Sequence, residues 1–436
     1  MPEEPVFSRT SPHHATILPA FLLFLCLFAL YTRTTAPDLT LMDGVEYSLA
    51  GYTLGIPHPP GYPLFTILNK AAQLMPLGSI AWRSNLLCAM SCALAATLLF
   101  SLVTRRTTSR PAGITAALTL GLAGTYWENA VCTETYSLHM LFLVLLLAII
   151  WRPHHDSRTI LQGAFLCGLG LANHQVLLLA MPAVGLYAVI NRDVRRRLPR
   201  LAGPAACLFI LGISLYLTLP LRSSVNPAMD RGNPENLTGM KHVMGARVDM
   251  ATANAGANPH STAMQLRHFA FLSITSWSWP LLLLAVPGAG LLLRRDRLIL
   301  AFLAAFWITQ MWVISTTFYS KSQDIVYMVE PFFLPAHLVT AVLMGAGAAT
   351  LTVGRRRIAA PVLTLILLLL PLPLLTFFHA NDNSANYIAR DWAWNVLLSA
   401  PREAVVLVAV DEYFPLAYLQ LVEKIRPDLT PVHAVA

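Results

Sequence analysis

Long apolar runs that carry almost no charge recur along this chain and constrain its fold more than any other feature. Of its 436 residues, 56% are hydrophobic and 12% are charged, whereas roughly 25% of the residues in soluble domains are charged. A helix needs about 20 apolar residues to cross a bilayer. We therefore predict an all-α, multi-pass integral membrane protein whose main partner is the lipid bilayer.

The apolar runs divide into about eleven predicted transmembrane helices. The first covers Ile17 to about Tyr31, and we expect it to be retained because no small-residue cleavage site follows it. The other helices are predicted at about 84–104, 111–127, 135–151, 159–173, 174–191, 201–221, 268–293, 298–318, 332–353 and 358–379. The least certain boundary between predicted helices lies at Asn173 and His174, within the run 159–191. Two helices are placed in this run because an even number keeps the arginine-rich loops on one side of the membrane.

Clusters of arginine between the apolar runs predict the orientation of the chain. They include Arg105–Arg106, Arg195–Arg197, Arg294–Arg295 and Arg355–Arg357. Because such loops stay on the cytoplasmic side, the N-terminus is predicted inside and the C-terminus outside, in the cytoplasmic (inner) membrane if the source is bacterial. This path places more than half of the 30 Lys and Arg residues inside and most of the 22 acidic residues outside. The net charge of +8 therefore indicates membrane topology and not nucleic-acid binding.

The predicted outer segments suggest two regions. Residues 1–379 form the membrane domain, with outer loops at 37–81 and 222–267, and residues 380–436 form a small extracytoplasmic α/β tail. In the first loop, Tyr47–Leu54 and Leu64–Leu77 are too short to span and are predicted to be interfacial helices. The second half of loop 222–267 is predicted to be helical. Within the tail, helices are predicted at Ser384–Ser399 and Glu412–Ile425, and a strand at Ala404–Val410.

The loop that follows the first helix contains the strongest candidate site. Asp43 and Glu46 are three residues apart, so on a helix they face the same way. Carboxylates at the mouth of an apolar cavity can take a proton from a hydroxyl or bind a cation. The segment Gly55–Pro63 follows, in which prolines fix the backbone around His58. His58 either orients a carboxylate, contacts a substrate or caps the backbone.

Other polar residues recur at the predicted outer ends of the helices, and together they predict a polar ring on one face of the bundle. Each could also be an interfacial residue that simply contacts water. They are Glu128, Asn129, Glu134, Tyr136, Asn173, His174, Arg222, Lys321, Asp324 and Glu330.

Several motifs resemble the membrane family catalogued as domain of unknown function 2723, which is related to protein O-mannosyltransferases of the GT-C type. The motifs are Asp43–Glu46, Leu54–Leu64, Pro76–Leu86 with Arg83 and Asn85, Glu134–Leu138, Gly170–His174, Arg222 with Asn226–Pro227, Gly232–Pro234, Asp411–Tyr413 and Arg426–Asp428. They extend over nearly the whole chain. Members of this family usually have a small residue and then a glycine between the two acids. In this chain Gly44 and Val45 stand at these positions.

The resemblance implies a GT-C glycosyltransferase of the inverting kind that uses a sugar carried on a polyprenyl phosphate. The implied sugar is mannose, and the implied acceptor is a protein hydroxyl on Ser or Thr, or a glycan, on the outer face. Asp43 would be the base and Glu46 a second acid that positions the acceptor or the base. The departing phosphate needs a cation, for which Arg222 is the first candidate and Lys321 and Arg83 are the next.

Alternatives remain open. A polytopic transporter or lipid flippase fits the bundle equally well, although transporters usually carry midplane charges and duplicated halves. A non-catalytic scaffold is a third possibility. The six cysteines lie in or near apolar runs without a CxxC pair and predict no redox or zinc chemistry. Two acids three residues apart suit a divalent metal or none, so no definite cofactor is implied.

Overall fold

The computed structural model describes residues 14–253, 259–277, 279–317, 329–352 and 368–433. Five helices in these ranges are long and apolar enough to cross a membrane, and the number rises to seven if each of two bent helix pairs forms one span. The five are Thr16–Thr34, Ile80–Thr107, Arg192–Ser223, Arg297–Ser315 and Glu330–Thr352. The multi-pass helical architecture is confirmed, whereas the predicted count of eleven spans is not.

All secondary-structure elements in the N-terminal half of the described chain are helices. Its helices are α1 (His14–Thr34), α2 (Asp43–Thr53), α3 (Pro63–Gln73), α4 (Ile80–Thr107), α5 (Arg110–Gly121), α6 (Gly124–Val131), α7 (Thr135–Ile150), α8 (Ser157–Asn173), α9 (Met181–Ile190), α10 (Arg192–Ile213) and α11 (Thr218–Ser223). A 3₁₀ helix at Gln175–Ala180 connects α8 to α9, and another at Ser214–Leu217 connects α10 to α11.

The C-terminal half adds further helices and two strands. These are α12 (Leu237–Ala253), α13 (Pro259–Trp277), α14 (Trp279–Leu282), α15 (Ala285–Arg295), α16 (Arg297–Thr317), α17 (Leu334–Thr352), α18 (Leu372–Asn381), α19 (Ile388–Ser399), β1 (Val405–Val408), α20 (Val410–Leu421) and β2 (Thr430–His433). A 3₁₀ helix at Glu330–Phe333 precedes α17.

The predicted membrane helices at 268–293 and 174–191 are interrupted in the structure. The run at 268–293 is divided among α13, α14 and α15, with Pro280 and Pro287 close to the breaks, because proline removes a backbone donor and interrupts a helix. The run at 174–191 begins as a 3₁₀ helix and only then becomes α9. Most of the run at 358–379 lies outside the described residues, as do Arg355–Arg357 and most of the predicted outer turn at 319–331.

The first outer loop folds into the two short helices that the sequence predicts. Both acids of α2 lie in its first turn, where the positive end of the helix dipole favours negative charge. α3 begins with Pro63, whose fixed φ suits the first turn of a helix. Loop 222–267 is also helical in its second half, through α12 and the start of α13.

The bundle packs around α4, which contacts α1, α5, α6 and α7. Its start is capped by Ser79, whose hydroxyl accepts a hydrogen bond from the Trp82 amide at 3.1 Å. The largest apolar cluster joins these helices to α16 and α17. A Cβ atom at Gly345 on α17 would lie 2.7 Å from that of Ala116 on α5, so glycine at this position permits close helix packing.

Strands and helices also form in the C-terminal tail. β1 pairs in parallel with β2, in the register Val405 to Thr430, and α20 connects them. The sequence missed β2. α20 packs against α2 in a shared apolar cluster that contains Val45, Leu49 and Phe414. The tail therefore lies directly on the helix that carries the acid pair; its boundary as a separate domain at 380–436 stays a prediction.

Candidate active site

The two acids at the start of α2 occupy different environments. The Asp43 side chain is 47% exposed, whereas that of Glu46 is 2% exposed. Because α2 turns between them, they lie on the same side of the helix as the spacing predicts. Asp43 is therefore accessible to a substrate, and Glu46 belongs to the interior of the site.

Glu46 accepts hydrogen bonds from two other segments of the chain. Its Oε1 atom accepts from the His58 amide at 2.6 Å, and its Oε2 atom lies 2.9 Å from Nδ1 of His58. The Nη1 atom of Arg231 donates to both oxygens, at 3.2 and 3.3 Å. Burial alone would raise the pKa of Glu46, but these hydrogen bonds and positive charges together lower it. Glu46 is therefore held as a carboxylate.

Arg231 reaches Glu46 because two loops pair beside α2. The Ile56 amide donates to the Met229 carbonyl at 2.8 Å, and the Arg231 amide donates to the Ile56 carbonyl at 3.0 Å. A Cβ atom at Gly55 would collide with the Met229 carbonyl oxygen. Glycine at this position therefore permits the backbone approach that brings Arg231 and His58 to the same carboxylate.

The other ring nitrogen of His58 faces the exposed acid. Its Nε2 atom lies 3.7 Å from Oδ2 of Asp43 and 3.3 Å from the hydroxyls of Tyr47 and Tyr62. Because the Glu46 carboxylate can only accept, Nδ1 of His58 carries a proton toward it. Nε2 of a neutral His58 is then the acceptor nitrogen. Of the three options for His58, the structure supports orientation of the carboxylates.

The same three residues include the donors of a possible metal site. One ligand atom from each of Asp43, Glu46 and His58 lies within 4.8 Å of the others. Both Glu46 oxygens, however, already accept from His58, and the guanidinium of Arg231 contacts them. A divalent cation would be repelled by this positive charge at short range. The donor set does not fit a metal ion in this arrangement, and we derive no chemical step through one.

A series of rings connects the acid pair to α7. Centroid distances are 5.3 Å from His58 to Tyr62, 5.4 Å from Tyr62 to His174, 4.7 Å from His174 to Tyr136 and 5.4 Å from Tyr136 to Phe332. Two residues of the predicted polar ring, Tyr136 and His174, are thus connected through Tyr62 to His58 and the acid pair.

His174, Asn173 and Glu134 form hydrogen bonds with nearby backbone or side-chain groups at the junction of α7 and α8. Nδ1 of His174 accepts from the Val176 amide at 3.1 Å, and Asn173 donates to the Thr135 carbonyl at 3.2 Å. The Glu134 carbonyl accepts from the Ser137 hydroxyl at 2.8 Å at the start of α7. Backbone contacts therefore fix the end of α8 beside the start of α7.

Two predicted phosphate-binding arginines bind backbone carbonyls instead. Arg222 donates to the carbonyls of Leu54 and Thr53, at 2.8 and 3.1 Å, at the C-terminal end of α2. Arg83 donates to the carbonyls of Gln73, Leu77 and Gly78 at the end of α3. Both satisfy helix-end carbonyls that lack intrahelical partners.

Of two further residues of the predicted site, the structure describes Asn85 but not Lys321. Asn85 donates to the Ala36 carbonyl at 2.9 Å and accepts from the Thr133 hydroxyl at 2.6 Å, so it connects the end of α1 to the start of α7. Lys321 lies outside the described residues. The substrate-binding roles of Arg83, Asn85, Arg222 and Lys321 stay predictions.

Two residues that sequence reasoning missed complete the site. Arg231 pairs with Glu46, and its guanidinium carbon lies 5.6 Å from the centroid of the Phe414 ring on α20. A signal for Arg231 was present, since it directly precedes the Gly232–Pro234 motif. Nothing in the local sequence around Phe414 indicates that the tail reaches the site.

A helical membrane bundle with a buried acid and an exposed acid in its first outer loop defines the class of this protein. Its fold matches that of ArnT from Cupriavidus metallidurans. The structure of ArnT bound to undecaprenyl phosphate gives a TM-score of 0.64 at 13% identity, covering 96% of this chain and 90% of that one. The apo form gives 0.61 at 12% identity. The match shows a shared fold.

The sequence comparisons indicate a particular family. Residues 43–197 match the family described as the Protein O-mannosyl-transferase TMEM260 N-terminal domain. Mus musculus Protein O-mannosyl-transferase TMEM260 is 29% identical over 94% of this chain and 62% of its own length. The Dictyostelium discoideum protein of that name is 24% identical over 95% of this chain and 57% of its own. The predicted resemblance to protein O-mannosyltransferases is confirmed, and the chain spans about three fifths of these relatives.

Proposed function

We propose that this protein is a membrane glycosyltransferase that moves mannose from a polyprenyl-phosphate donor to a hydroxyl of a protein Ser or Thr on the outer face. The observation that carries the proposal is the exposed Asp43 carboxylate beside the Glu46–His58–Arg231 cluster. The names of the sequence relatives support the reaction type. They also favour it over a transporter or flippase.

Asp43 acts as the base on the acceptor side. The acceptor oxygen attacks the anomeric carbon of the sugar while its proton passes to the Asp43 carboxylate. The bond from that carbon to the phosphate oxygen breaks, and the lipid phosphate leaves with the electron pair. A single displacement of this kind inverts the anomeric centre. Positioned proton transfer contributes about 10²–10⁴-fold to such reactions.

Arg231 supplies the positive charge on the donor side. Its side chain is 38% exposed, so Arg231 contacts both the buried Glu46 and the solvent. Fixed cations stabilise the charge that develops on a leaving phosphate. That ArnT has been captured with undecaprenyl phosphate supports a polyprenyl phosphate as the carrier. We therefore assign to Arg231 the role that the sequence predicted for Arg222.

Glu46 and His58 position the reacting groups. Glu46 is too deeply buried to meet an acceptor, but it fixes the His58 ring and the Arg231 guanidinium together. Tyr62 and His174 are completely buried, so they hold the His58 loop against α7. Glu134 is half-buried and Tyr136 is buried at the start of α7, and we place them toward the sugar.

A direct transfer assay tests the proposal. The purified protein in lipid nanodiscs is given polyprenyl-phosphate mannose or a nucleotide-linked mannose, together with Ser/Thr peptides, and the labelled product is measured. We expect transfer from the lipid-linked donor alone. In the Asp43→Asn variant, the rate of transfer should fall at least about 100-fold without a change in unfolding temperature. The control variant Asp391→Asn replaces an exposed acid of α19 and should transfer mannose at the wild-type rate. Near wild-type turnover of Asp43→Asn would remove the central claim.

A further inference from the structure

A second cavity lies among α7, α8, α9 and α10, separate from the acid pair. Its volume is about 270 Å³, and its walls are almost wholly carbon, contributed by residues such as Leu146, Ile150, Cys167, Val184 and Phe209. Ligand pockets commonly measure roughly 300–1,000 Å³. The cavity is therefore large enough for part of one hydrocarbon chain and too apolar for a sugar or a phosphate.

The cavity and the proposed active site lie at opposite ends of the bundle. α7 starts next to the Tyr136–His174 rings, and Leu146 and Ile150 line the cavity at its other end. Fourteen residues of helix from Tyr136 to Ile150 correspond to about 21 Å. The cavity thus serves a ligand other than the reacting sugar phosphate.

Arginines surround the polar end of the cavity. Arg152 donates from Nη1 to the hydroxyl of Thr159, a wall residue, at 3.1 Å. Arg106 interacts electrostatically with the wall residue Tyr187. Exposed Arg195 directly follows Val194, which also lines the cavity.

Three acids, Asp156, Asp193 and Asp296, also lie near this rim, and Asp156 accepts a hydrogen bond from the Thr159 hydroxyl at 2.7 Å. Asp296 accepts a hydrogen bond from the Trp151 indole at 3.0 Å and interacts with Arg106. The loops at this end contain many more arginines than acids: they carry Arg105, Arg106, Arg110, Arg152, Arg158, Arg192, Arg195, Arg196, Arg197, Arg200, Arg294, Arg295 and Arg297. The rim therefore favours an anion.

We propose that this cavity binds one acyl chain of an anionic phospholipid, whose headgroup contacts the arginine rim. An apolar slot beside a basic rim matches both parts of such a lipid, and basic pockets between transmembrane helices bind anionic headgroups. The donor lipid does not fit this site, because its phosphate must lie near Arg231 at the other end. Only this exclusion of the donor lipid rests on the proposed function; the apolar cavity and its basic rim do not depend on it.

Lipid retention tests the inference directly. The purified full-length protein is delipidated, mixed with phosphatidylglycerol or phosphatidylcholine at equal concentration, and examined by native mass spectrometry. We expect one phosphatidylglycerol to be retained per chain and phosphatidylcholine to be retained far less. Equal retention of the two lipids, or retention of polyprenyl phosphate in preference to phosphatidylglycerol, would overturn the proposal.

Two glycines offer a matched pair of variants. A Cβ atom at Gly185, which lines the cavity, or at Gly203 on α10, which does not, would meet no atom within 4 Å. Gly185→Phe should fill the cavity and abolish retention, while Gly203→Phe should leave it unchanged. Retention that survives in a folded Gly185→Phe protein contradicts the assignment of the cavity.

The headgroup contact has its own variants. Arg152→Gln keeps a donor for Thr159 but removes the charge, and should weaken phosphatidylglycerol retention by about fivefold. Arg200→Gln removes a charge from an exposed residue that does not line the cavity and should have a smaller effect. If the two substitutions act equally, general surface charge explains the preference and the site is rejected. This comparison decides the question even if Gly185→Phe does not fold.

Discussion

The Oε2 atom of Glu46 lies 2.9 Å from Nδ1 of His58, and this contact determines which nitrogen of the histidine faces Asp43. The proton of Nδ1 is directed to Glu46, so Nε2 is the atom 3.7 Å from the Asp43 carboxylate. Glu46 also binds Arg231, and one buried carboxylate thereby positions groups on both sides of the proposed reaction. The following predictions test this arrangement.

Replacing Glu46 by glutamine should destabilise the protein in a pH-dependent way. Removing one partner of a buried ion pair costs about 3–5 kcal/mol, and solvent around the 38% exposed Arg231 side chain reduces this cost. Because the folded-state pKa of Glu46 lies below its ordinary value of 4.5, its contribution to stability is complete above that pH and is lost as the pH falls through the lower folded-state pKa. Thermal unfolding should show a large deficit for Glu46→Gln at pH 7 that shrinks in acid. A deficit independent of pH would contradict the carboxylate role.

Replacing Arg231 should affect the donor, whereas replacing Arg222 should affect stability. Arg231→Gln removes the charge proposed to stabilise the leaving phosphate, so turnover should fall by about 10²-fold or more. Arg231→Lys should recover part of it. Arg222→Gln removes hydrogen bonds to the last carbonyls of α2 and should cost about 1–3 kcal/mol of stability with an unchanged apparent donor affinity. Steady-state kinetics against donor concentration and thermal unfolding separate these effects, and the opposite pattern would restore Arg222 as the phosphate ligand.

Removal of divalent metals should leave the transfer activity intact. Asp43, Glu46 and His58 have the spacing of a metal site, but Arg231 already provides the positive charge that a metal would add. We expect equal rates after exhaustive EDTA treatment and after addition of Mg²⁺, Mn²⁺ or Zn²⁺. Loss of activity on chelation, with recovery by one metal, would show that Arg231 moves away from Glu46 in the active state.

Much of this architecture follows from local sequence. The apolar runs predict a membrane bundle, and the i, i+3 spacing predicts that Asp43 and Glu46 share a helix face. What could not be predicted depends on contacts distant in sequence. The pairing of Glu46 with Arg231 spans 185 residues, and no local pattern separates a phosphate-binding arginine from one that caps a helix, as Arg222 does. The predicted count of membrane spans is not confirmed, because several apolar helices among the described residues are too short to cross a bilayer alone.

The contact between Phe414 and Arg231 predicts that the C-terminal tail influences the reaction. A cation over an aromatic face is stabilised by about 0.5–1 kcal/mol at exposed sites, and the guanidinium carbon of Arg231 lies 5.6 Å from the centroid of the Phe414 ring. Phe414→Leu keeps an apolar side chain but removes the ring face, so turnover should fall about two- to fivefold, and Phe414→Tyr should restore it. The control is Tyr418→Phe on the same helix, which removes only the hydroxyl that accepts from the Ala81 amide at 3.1 Å. If the tail only covers α2, both Phe414→Leu and Tyr418→Phe should change the unfolding temperature, and neither should change turnover. A loss of turnover confined to Phe414→Leu, with rescue by tyrosine, would identify Phe414 as a positioning residue for Arg231.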